Sequence, residues 1–262
     1  MGKHDSSATR VVPVFEALHS ADSSARMWLP RLIGLPVGGH PPSLRDDTDF
    51  SLRRHGWGRT EAKLNPPVAL LSWLIRHPRA PVAGGLSGDP QKAEIRRQWI
   101  EGSDERIAEG LELLRRNPKR LDWHIFEGPT RPDVYLETND LLVVIEGKRT
   151  EAGPTRATKW MEGRHQMLRH LDCAWEIRGG RQVAGFFIVE GEDASEEIPA
   201  KWLSFARETI APSTIAAGLP HRGPDEQKQI AAAFIGVTTW QRVCREFAQF
   251  GLDYAALPDT AS

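Results

Sequence analysis

Residues 132–148, PDVYLETNDLLVVIEGK, decide the fold of this 262-residue chain. The stretch holds two short apolar runs, Val134 to Thr138 and Leu141 to Ile145, separated by Asn139-Asp140. Runs of this length and composition are typical of β-strands, and an Asn-Asp pair suits the tight turn between two strands. The stretch therefore predicts a β-hairpin.

The hairpin brings together the charged residues at its open end. If the two-residue turn closes the ladder, Thr138 lies opposite Leu141, and counting back places Asp133 opposite Glu146. Directly opposite residues share a face with their Cβ atoms roughly 5 Å apart, and strand alternation returns Lys148 to the same face. Two carboxylates at this distance repel each other unless a cation lies between them. The register therefore predicts a site for a divalent metal.

Pro132-Asp133, followed after a hairpin by Glu146-Gly147-Lys148, resembles the signature of the PD-(D/E)XK nuclease superfamily. The resemblance implies hydrolysis of phosphodiester bonds, most often in DNA, in repair, restriction or defence. It implies that Asp133 and Glu146 bind Mg²⁺, with Mn²⁺ as a substitute, because hard cations prefer oxygen ligands and lower the pKa of bound water. Lys148 would orient the attacking water or stabilise charge on the phosphate.

Two further copies of the string lack the strand context. Glu61-Ala62-Lys63 follows no apolar run, and Pro224-Asp225-Glu226-Gln227-Lys228 reads as the acidic first turn of a helix that continues into Ile230. Only the copy at 132–148 has a buried strand before the acid. The alternative for that copy is a solvated hairpin with ordinary surface charges.

The resemblance points to two more site residues. Many members of the superfamily take a further acid from the helix before the first strand, and Glu105 holds that place here, with Glu101 and Glu109 as rivals. Some branches place a glutamine on the helix after the lysine strand, where this chain has Gln166, and follow it with a tyrosine, where this chain has His170. An exposed polar helix face is the alternative for each of these residues.

The order of elements agrees with the resemblance. We expect helices beginning near Pro66, Pro90 and Ser103, a strand at Trp123 to Phe126, the hairpin, a helix from Thr158 to Ile177 and a strand from Val183 to Val189. A strand reached through a helix usually lies parallel in the same sheet. The predicted fold class is α/β: a three-layer α/β/α arrangement with a central mixed sheet built from a helix, a three-strand meander, a helix and a strand, plus extra N- and C-terminal helices.

The predicted organisation has four parts. These are a flexible tail (1–10), a mostly helical or irregular N-terminal extension (11–88), the nuclease-like α/β core (89–195) and a C-terminal helical extension packed on the core (196–262), including a helix from Trp240 to Phe250. Between Arg149 and Arg181 basic residues outnumber acidic ones. Because this excess follows the candidate site, we expect a phosphate backbone to lie there. A solvated helix face is the alternative.

Composition limits the other classes of protein. Two cysteines are too few for a disulfide framework, no apolar window is long enough to span a membrane, and no secretory leader is evident, so we expect a cytoplasmic location. The net charge of −1 argues against tight nonspecific binding of nucleic acid and leaves room for a protein partner that supplies targeting; a homodimer is a further expectation. The nine histidines show no zinc-hydrolase spacing, and no Gly-x-Ser-x-Gly elbow occurs.

A second class of function stays open. Nine tryptophans provide large apolar contact areas, which would suit a catalytically inactive protein that keeps the nuclease-like fold and acts as a nucleic-acid-binding or assembly partner. The two hypotheses differ in whether Asp133, Glu146 and Lys148 support metal-dependent cleavage.

Overall fold

A six-stranded mixed sheet forms the centre of the molecule, with strand order β1-β6-β5-β4-β3-β2. The structure is a computed structural model and describes residues 6–78, 90–118, 127–151, 158, 161 and 163–259. The strands are β1 (Val37–Gly38), β2 (Arg54–Trp57), β3 (Val134–Glu137), β4 (Leu141–Gly147), β5 (Gln182–Val189) and β6 (Phe234–Thr239).

Helices cover both faces of the sheet. In the described residues they are α1 (Val12–Ala21), α2 (Leu29–Ile33), α3 (Val68–Arg76), α4 (Pro90–Ile100), α5 (Asp104–Arg116), α6 (Gln166–Ile177), α7 (Ala200–Thr209), α8 (Pro212–Gly218), α9 (Pro224–Ala232) and α10 (Trp240–Glu246). One apolar cluster packs α6 to α9 on one face, and a second packs α1, α2 and α10 on the other. The predicted three-layer α/β/α fold is confirmed.

The hairpin has the predicted register. Val134 pairs with Ile145, so the next residues outward, Asp133 and Glu146, lie opposite each other. Strand β4 then pairs with β5 in parallel, as expected for strands joined through a helix. Strand β4 is buried on both faces because alternate residues belong to different clusters: Val144 packs on the α6 side, and Ile145 packs on the α1 side.

Three strands come from segments that the sequence analysis assigned to the extensions. Strands β1 and β2 lie in 11–88, and β6 lies in 196–262, so the sheet is not confined to 89–195. Strand β6 was missed because a short apolar run between two helices has no periodicity that separates strand from helix. The expected strand at Trp123 to Phe126 lies outside the described residues, and β2 is the strand that pairs with the free edge of β3.

Several predicted helix boundaries need correction. Helix α6 begins at Gln166, not at Thr158, because His165 caps it by accepting a hydrogen bond from the Leu168 N–H. Thr158 instead forms an isolated bridge with Met161. Helix α10 ends at Glu246 and is followed by a short 3₁₀ turn, Ala248–Phe250.

The N-terminal segment is more ordered than predicted. Residues Ser7–Val11 form a π-helical turn that leads into α1. Thr9 and Arg10 are buried, and Arg10 pairs with Glu190 at 2.8 Å. The described part of the predicted tail is therefore packed on the core, because burial of a charged arginine requires such a partner.

Helices α3 and α5 form a third, smaller apolar cluster with Met161. Ser103 caps α5 as predicted by accepting from the Arg106 N–H.

No helix among the described residues is long and apolar enough to cross a membrane.

Gly236 is required where β6 meets β1. Its φ is +117°, and a Cβ at this position would lie 2.1 Å from the Val37 carbonyl oxygen. We predict that Gly236→Ala lowers the free energy of unfolding by about 3 kcal/mol, because both strain and a backbone clash are introduced. Urea denaturation measures this change.

The control is Gly223→Ala. No described atom lies within 4 Å of a Cβ built at Gly223, and its φ is −67°. Gly223 is the N-cap of α9, where alanine is less favourable than glycine, so this variant should lose no more than about 1 kcal/mol. Equal stability of the two variants would contradict the prediction.

Candidate active site: a carboxylate pair beside a buried lysine

The candidate site lies at the open end of the β3–β4 hairpin, on the sheet face covered by α6. Glu146 is 2% exposed, Asp133 is half-buried, and the Lys148 side chain is 17% exposed. All three predicted residues lie on this face, because Asp133 alternates with Tyr135 and Glu146 with Val144, both of which pack on the α6 side.

Three donors surround the Glu146 carboxylate. Lys148 donates from Nζ to Oε1 at 2.8 Å, and Gln166 donates from Nε2 to the same oxygen at 2.5 Å. His170 Nε2 lies 2.9 Å from Oε2. Burial favours the protonated acid, but the His170 hydrogen bond and the Lys148 charge outweigh it and lower the pKa of Glu146. Glu146 is therefore a carboxylate at neutral pH.

The same arrangement also stabilises the charged form of Lys148. Burial opposes its positive charge, but Glu146 and Glu151 together raise the pKa of the ammonium above its usual value. Glu151 Oε1 lies 3.6 Å from Lys148 Nζ, and Glu151 Oε2 accepts from the Arg149 backbone N–H at 3.0 Å. Glu151 thus forms an ion pair with Lys148, and its hydrogen bond to the Arg149 N–H stabilises the turn after β4.

The negative charge of Asp133 has fewer stabilising partners than that of Glu146. Its Oδ2 accepts the Gly147 N–H at 2.8 Å, and Lys148 also favours its ionised form. Burial and the negative charge of Glu146 outweigh both and raise the pKa of Asp133 to about 8. The two acids that the hairpin brings together therefore differ: without a further cation, Glu146 is ionised at pH 7 and Asp133 is mostly protonated.

Glu61 is a site residue that the sequence analysis dismissed. Its negative charge adds to those that raise the pKa of Asp133. The segment reaches the site through an isolated antiparallel bridge in which Leu64 and Thr130 exchange backbone hydrogen bonds of 2.9 and 2.8 Å. The signal was the second acid-x-lysine string, Glu61-Ala62-Lys63, but local sequence could not show that it folds against the first.

Glu105 is not where the resemblance placed it. It is exposed on α5, which packs against α3 and α4 in a separate apolar cluster. Its rivals are paired on their own helices: Glu101 with Arg97 at 2.6 Å and Glu109 with Arg106 at 2.7 Å. Helix α5 therefore brings no acid to the site, and the additional acid near Asp133 is Glu61.

Gln166 and His170 both reach the site from the first turns of α6. His170 is buried, and its Nδ1 lies 2.8 Å from Thr130 Oγ1 while its Nε2 contacts Glu146. The imidazole thus links the central strand to the segment that carries the Leu64–Thr130 bridge. His170 is buried, which excludes a solvated helix face for this residue. Gln166 lies one helical turn before it on the same side of α6.

Among the described residues, several members of the basic excess after the site are paired inside the fold, and Arg156 and Lys159 lie outside the described residues. The side chains of Arg164, Glu127 and Asp172 are all fully buried. Arg164 donates to both Glu127 oxygens at 2.6 Å and to Asp172 at 2.9 Å, and Asp172 also accepts from Arg222 at 2.9 Å. Arg181 pairs with Glu137. These charges are neutralised within the fold because buried ions need partners.

The donor chemistry of the site suits a hard cation, but the protein supplies few ligands. Among the described residues, no group of three or more His, Cys, Asp and Glu side chains is arranged to hold a metal ion. Mg²⁺ often keeps several waters and uses one or two carboxylates together with substrate phosphates. Asp133 and Glu146 fit this sparse mode of binding, with water and phosphate oxygens completing the coordination.

No protein-family model, curated protein or solved structure matches this chain. These comparisons therefore assign no activity to the site.

The raised pKa of Asp133 predicts a pH-dependent stability. In the folded chain this group keeps its proton up to about pH 8, whereas an unfolded aspartate loses it near pH 4. The folded state thus binds more protons across this window, and its stability falls as pH rises through it. We predict that Asp133→Asn, measured by urea denaturation with chelator present, is more stable than the wild type at pH 9 by up to about 5 kcal/mol, with the difference disappearing near pH 4.

Asp225→Asn is the matched control. Asp225 is exposed in the first turn of α9, so its substitution should not change the slope of stability against pH between 5 and 9. Parallel pH profiles for Asp133→Asn and the wild type would contradict the assignment.

Proposed function

We propose that this chain is a divalent-cation-dependent phosphodiesterase of the PD-(D/E)XK type that hydrolyses nucleic acid, with DNA as the favoured substrate. One observation carries the proposal: Asp133 and Glu146 lie opposite each other with Lys148 on their face. Burial and the neighbouring Glu146 charge raise the pKa of Asp133 to about 8. An ordinary surface hairpin would not bury two acids in this way.

A cation beside the pair would restore the balance of charge. Asp133 and Glu146 would hold Mg²⁺, or Mn²⁺ in its place, and the ion would activate a water and neutralise phosphate charge. The raised pKa of Asp133 means that such an ion competes with one proton, so binding should strengthen as pH rises toward 8.

The remaining residues of the site have roles that follow from their contacts. Lys148 is held by Glu146 with its ammonium partly exposed, so it can donate to a phosphate oxygen or orient a water next to the pair. Gln166 donates to the same Glu146 oxygen as Lys148 and so helps to fix the carboxylate. Glu61 adds negative charge next to Asp133, which strengthens the attraction for a cation.

The second candidate is a protein that keeps this fold and binds nucleic acid without cleaving it. The observation that favours it is the saturation of Glu146, whose two oxygens already contact Lys148, Gln166 and His170. A carboxylate held in this way gains less from a metal. The two candidates separate on whether cleavage exists and depends on the pair.

The decisive experiment is a cleavage panel. Linear, circular, branched and single-stranded DNA, together with RNA, are incubated with the wild type and with Lys148→Ala in Mg²⁺ or Mn²⁺. We predict metal-dependent cleavage by the wild type and a loss of at least about 100-fold in Lys148→Ala, because a single donor to developing charge contributes on this scale.

Glu105→Gln is the control for that panel, since Glu105 is exposed on α5. It should cleave at the wild-type rate, and circular dichroism verifies that each variant is folded. If no substrate is cleaved, or if Lys148→Ala keeps full activity, the hydrolase function is overturned. The second candidate, a protein that binds nucleic acid without cleaving it, then stays.

Metal binding has a readout that does not need a substrate. At about ten times the dissociation constant, a bound ion stabilises the fold by about 1.4 kcal/mol, which raises the melting temperature by roughly 3 °C for a chain of this size. We predict this rise with Mg²⁺ or Mn²⁺ at pH 8 for the wild type and Glu105→Gln, and its loss in Asp133→Asn. An unchanged melting temperature for the wild type with both ions would contradict a metal site at the pair.

A further inference from the structure

Two exposed cations, Lys63 and Arg131, lie on the segments that lead into the site. Around the site, Arg149 pairs with Asp259 at 3.0 Å, Arg164 with Glu127, and Arg181 with Glu137. Lys63 and Arg131 are exposed, and neither forms an ion pair with an acid in the part of the chain that the structure describes. We refer to Lys63 and Arg131 as the cation pair.

The fold holds the cation pair together. Leu64 and Thr130 form an antiparallel bridge through two mutual backbone hydrogen bonds. The residue before Leu64 and the residue after Thr130 are Lys63 and Arg131, so the bridge places them opposite each other. Like charges directly opposite across two strands destabilise that pairing. An anion between them would remove this repulsion.

The cation pair also has a fixed relation to the carboxylates. Arg131 precedes Asp133 by two residues, and Glu61, two residues before Lys63, acts on the charge of Asp133. Thr130 is tied through His170 to Glu146. The pair thus lies on the same structural unit as the site, with its cations exposed and the acids recessed.

Further positive charge continues along this edge of the sheet. Arg59 is exposed in the turn after β2, and Arg54 lies over the Tyr135 ring at 5.7 Å, on the sheet face that carries Asp133. Glu137 lies opposite Arg54 and offsets its charge, so Arg59 is the residue here that adds positive charge to the pair.

We propose that Lys63 and Arg131 bind a phosphate of a nucleic-acid backbone and so position the neighbouring phosphate at Asp133 and Glu146. The identity of this ligand rests on the proposed function. Lysine provides a compact charge and arginine a planar fork, and both bind phosphate groups. The pair is a positioning element and takes no part in bond cleavage.

Binding measured without cleavage tests the pair. Fluorescence anisotropy in chelator compares the wild type with Lys63→Ser/Arg131→Ser on oligonucleotides of about 20 nucleotides, longer than typical single-strand site sizes. Single-stranded and duplex forms of DNA and RNA are separate arms. For single strands we expect the slope of log K against log salt to become shallower by about 1.4, and binding near 50 mM salt to weaken on the order of 10- to 50-fold.

The matched control is Arg207→Ser/Lys228→Ser, which removes the same charges from exposed positions on α7 and α9. It should keep the wild-type affinity and salt slope. Equal affinity and slope in the two double variants would overturn the proposal, as would a wild type that binds no nucleic acid in any arm.

The failure of this inference differs from the failure of the proposed function. If the wild type cleaves with metal, and Lys63→Ser/Arg131→Ser binds nucleic acid as the wild type does, only the role of the cation pair is overturned. If binding weakens in Lys63→Ser/Arg131→Ser but the wild type cleaves no substrate, the role of the cation pair is supported and only the hydrolase function is overturned.

Discussion

One buried negative charge, the Glu146 carboxylate, sets the arrangement of the centre of the molecule. It lies on β4, a strand covered on both faces, where an ion without partners would cost several kcal/mol. Lys148, Gln166 and His170 supply those partners. Because two of them come from α6, the start of that helix must lie against the end of the strand, and His170 extends the constraint to Thr130.

Helix α6 carries two ionic clusters that differ in their balance. In the first, Arg164 pairs with both Glu127 and Asp172. The His221 hydrogen bond and the charges of Arg164 and Arg222 lower the pKa of Asp172 to about 2 despite its burial. In the second, burial and the negative charges near Asp133 outweigh Lys148, and the pKa of Asp133 rises to about 8. A balanced cluster contributes to the specificity of the fold. The unbalanced cluster has a strongly shifted pKa beside a charged partner, and this is the cluster to which we assign the proposed function.

Local sequence was sufficient wherever the determining interactions are local. The β3–β4 register follows from turn length and strand alternation, and α5 begins where Ser103 can cap it. Local sequence failed for Glu61, because an isolated bridge between Leu64 and Thr130 leaves no periodic pattern. It also failed for Arg164, since a charged residue is expected at the surface unless its distant partners are known.

The sequence by itself determined the hairpin, the opposition of Asp133 and Glu146, and the shared face of Lys148, because pleated strands allow one register for a given turn. It also determined the α/β class through the alternation of strands and helices. Only the tertiary structure decided which distant charges surround the pair. It excluded Glu105, added Glu61 and His170, and neutralised Arg164 internally. The physical reason is that electrostatic energies depend on distance and burial, which are fixed when remote segments pack together and not by the order of residues along the chain.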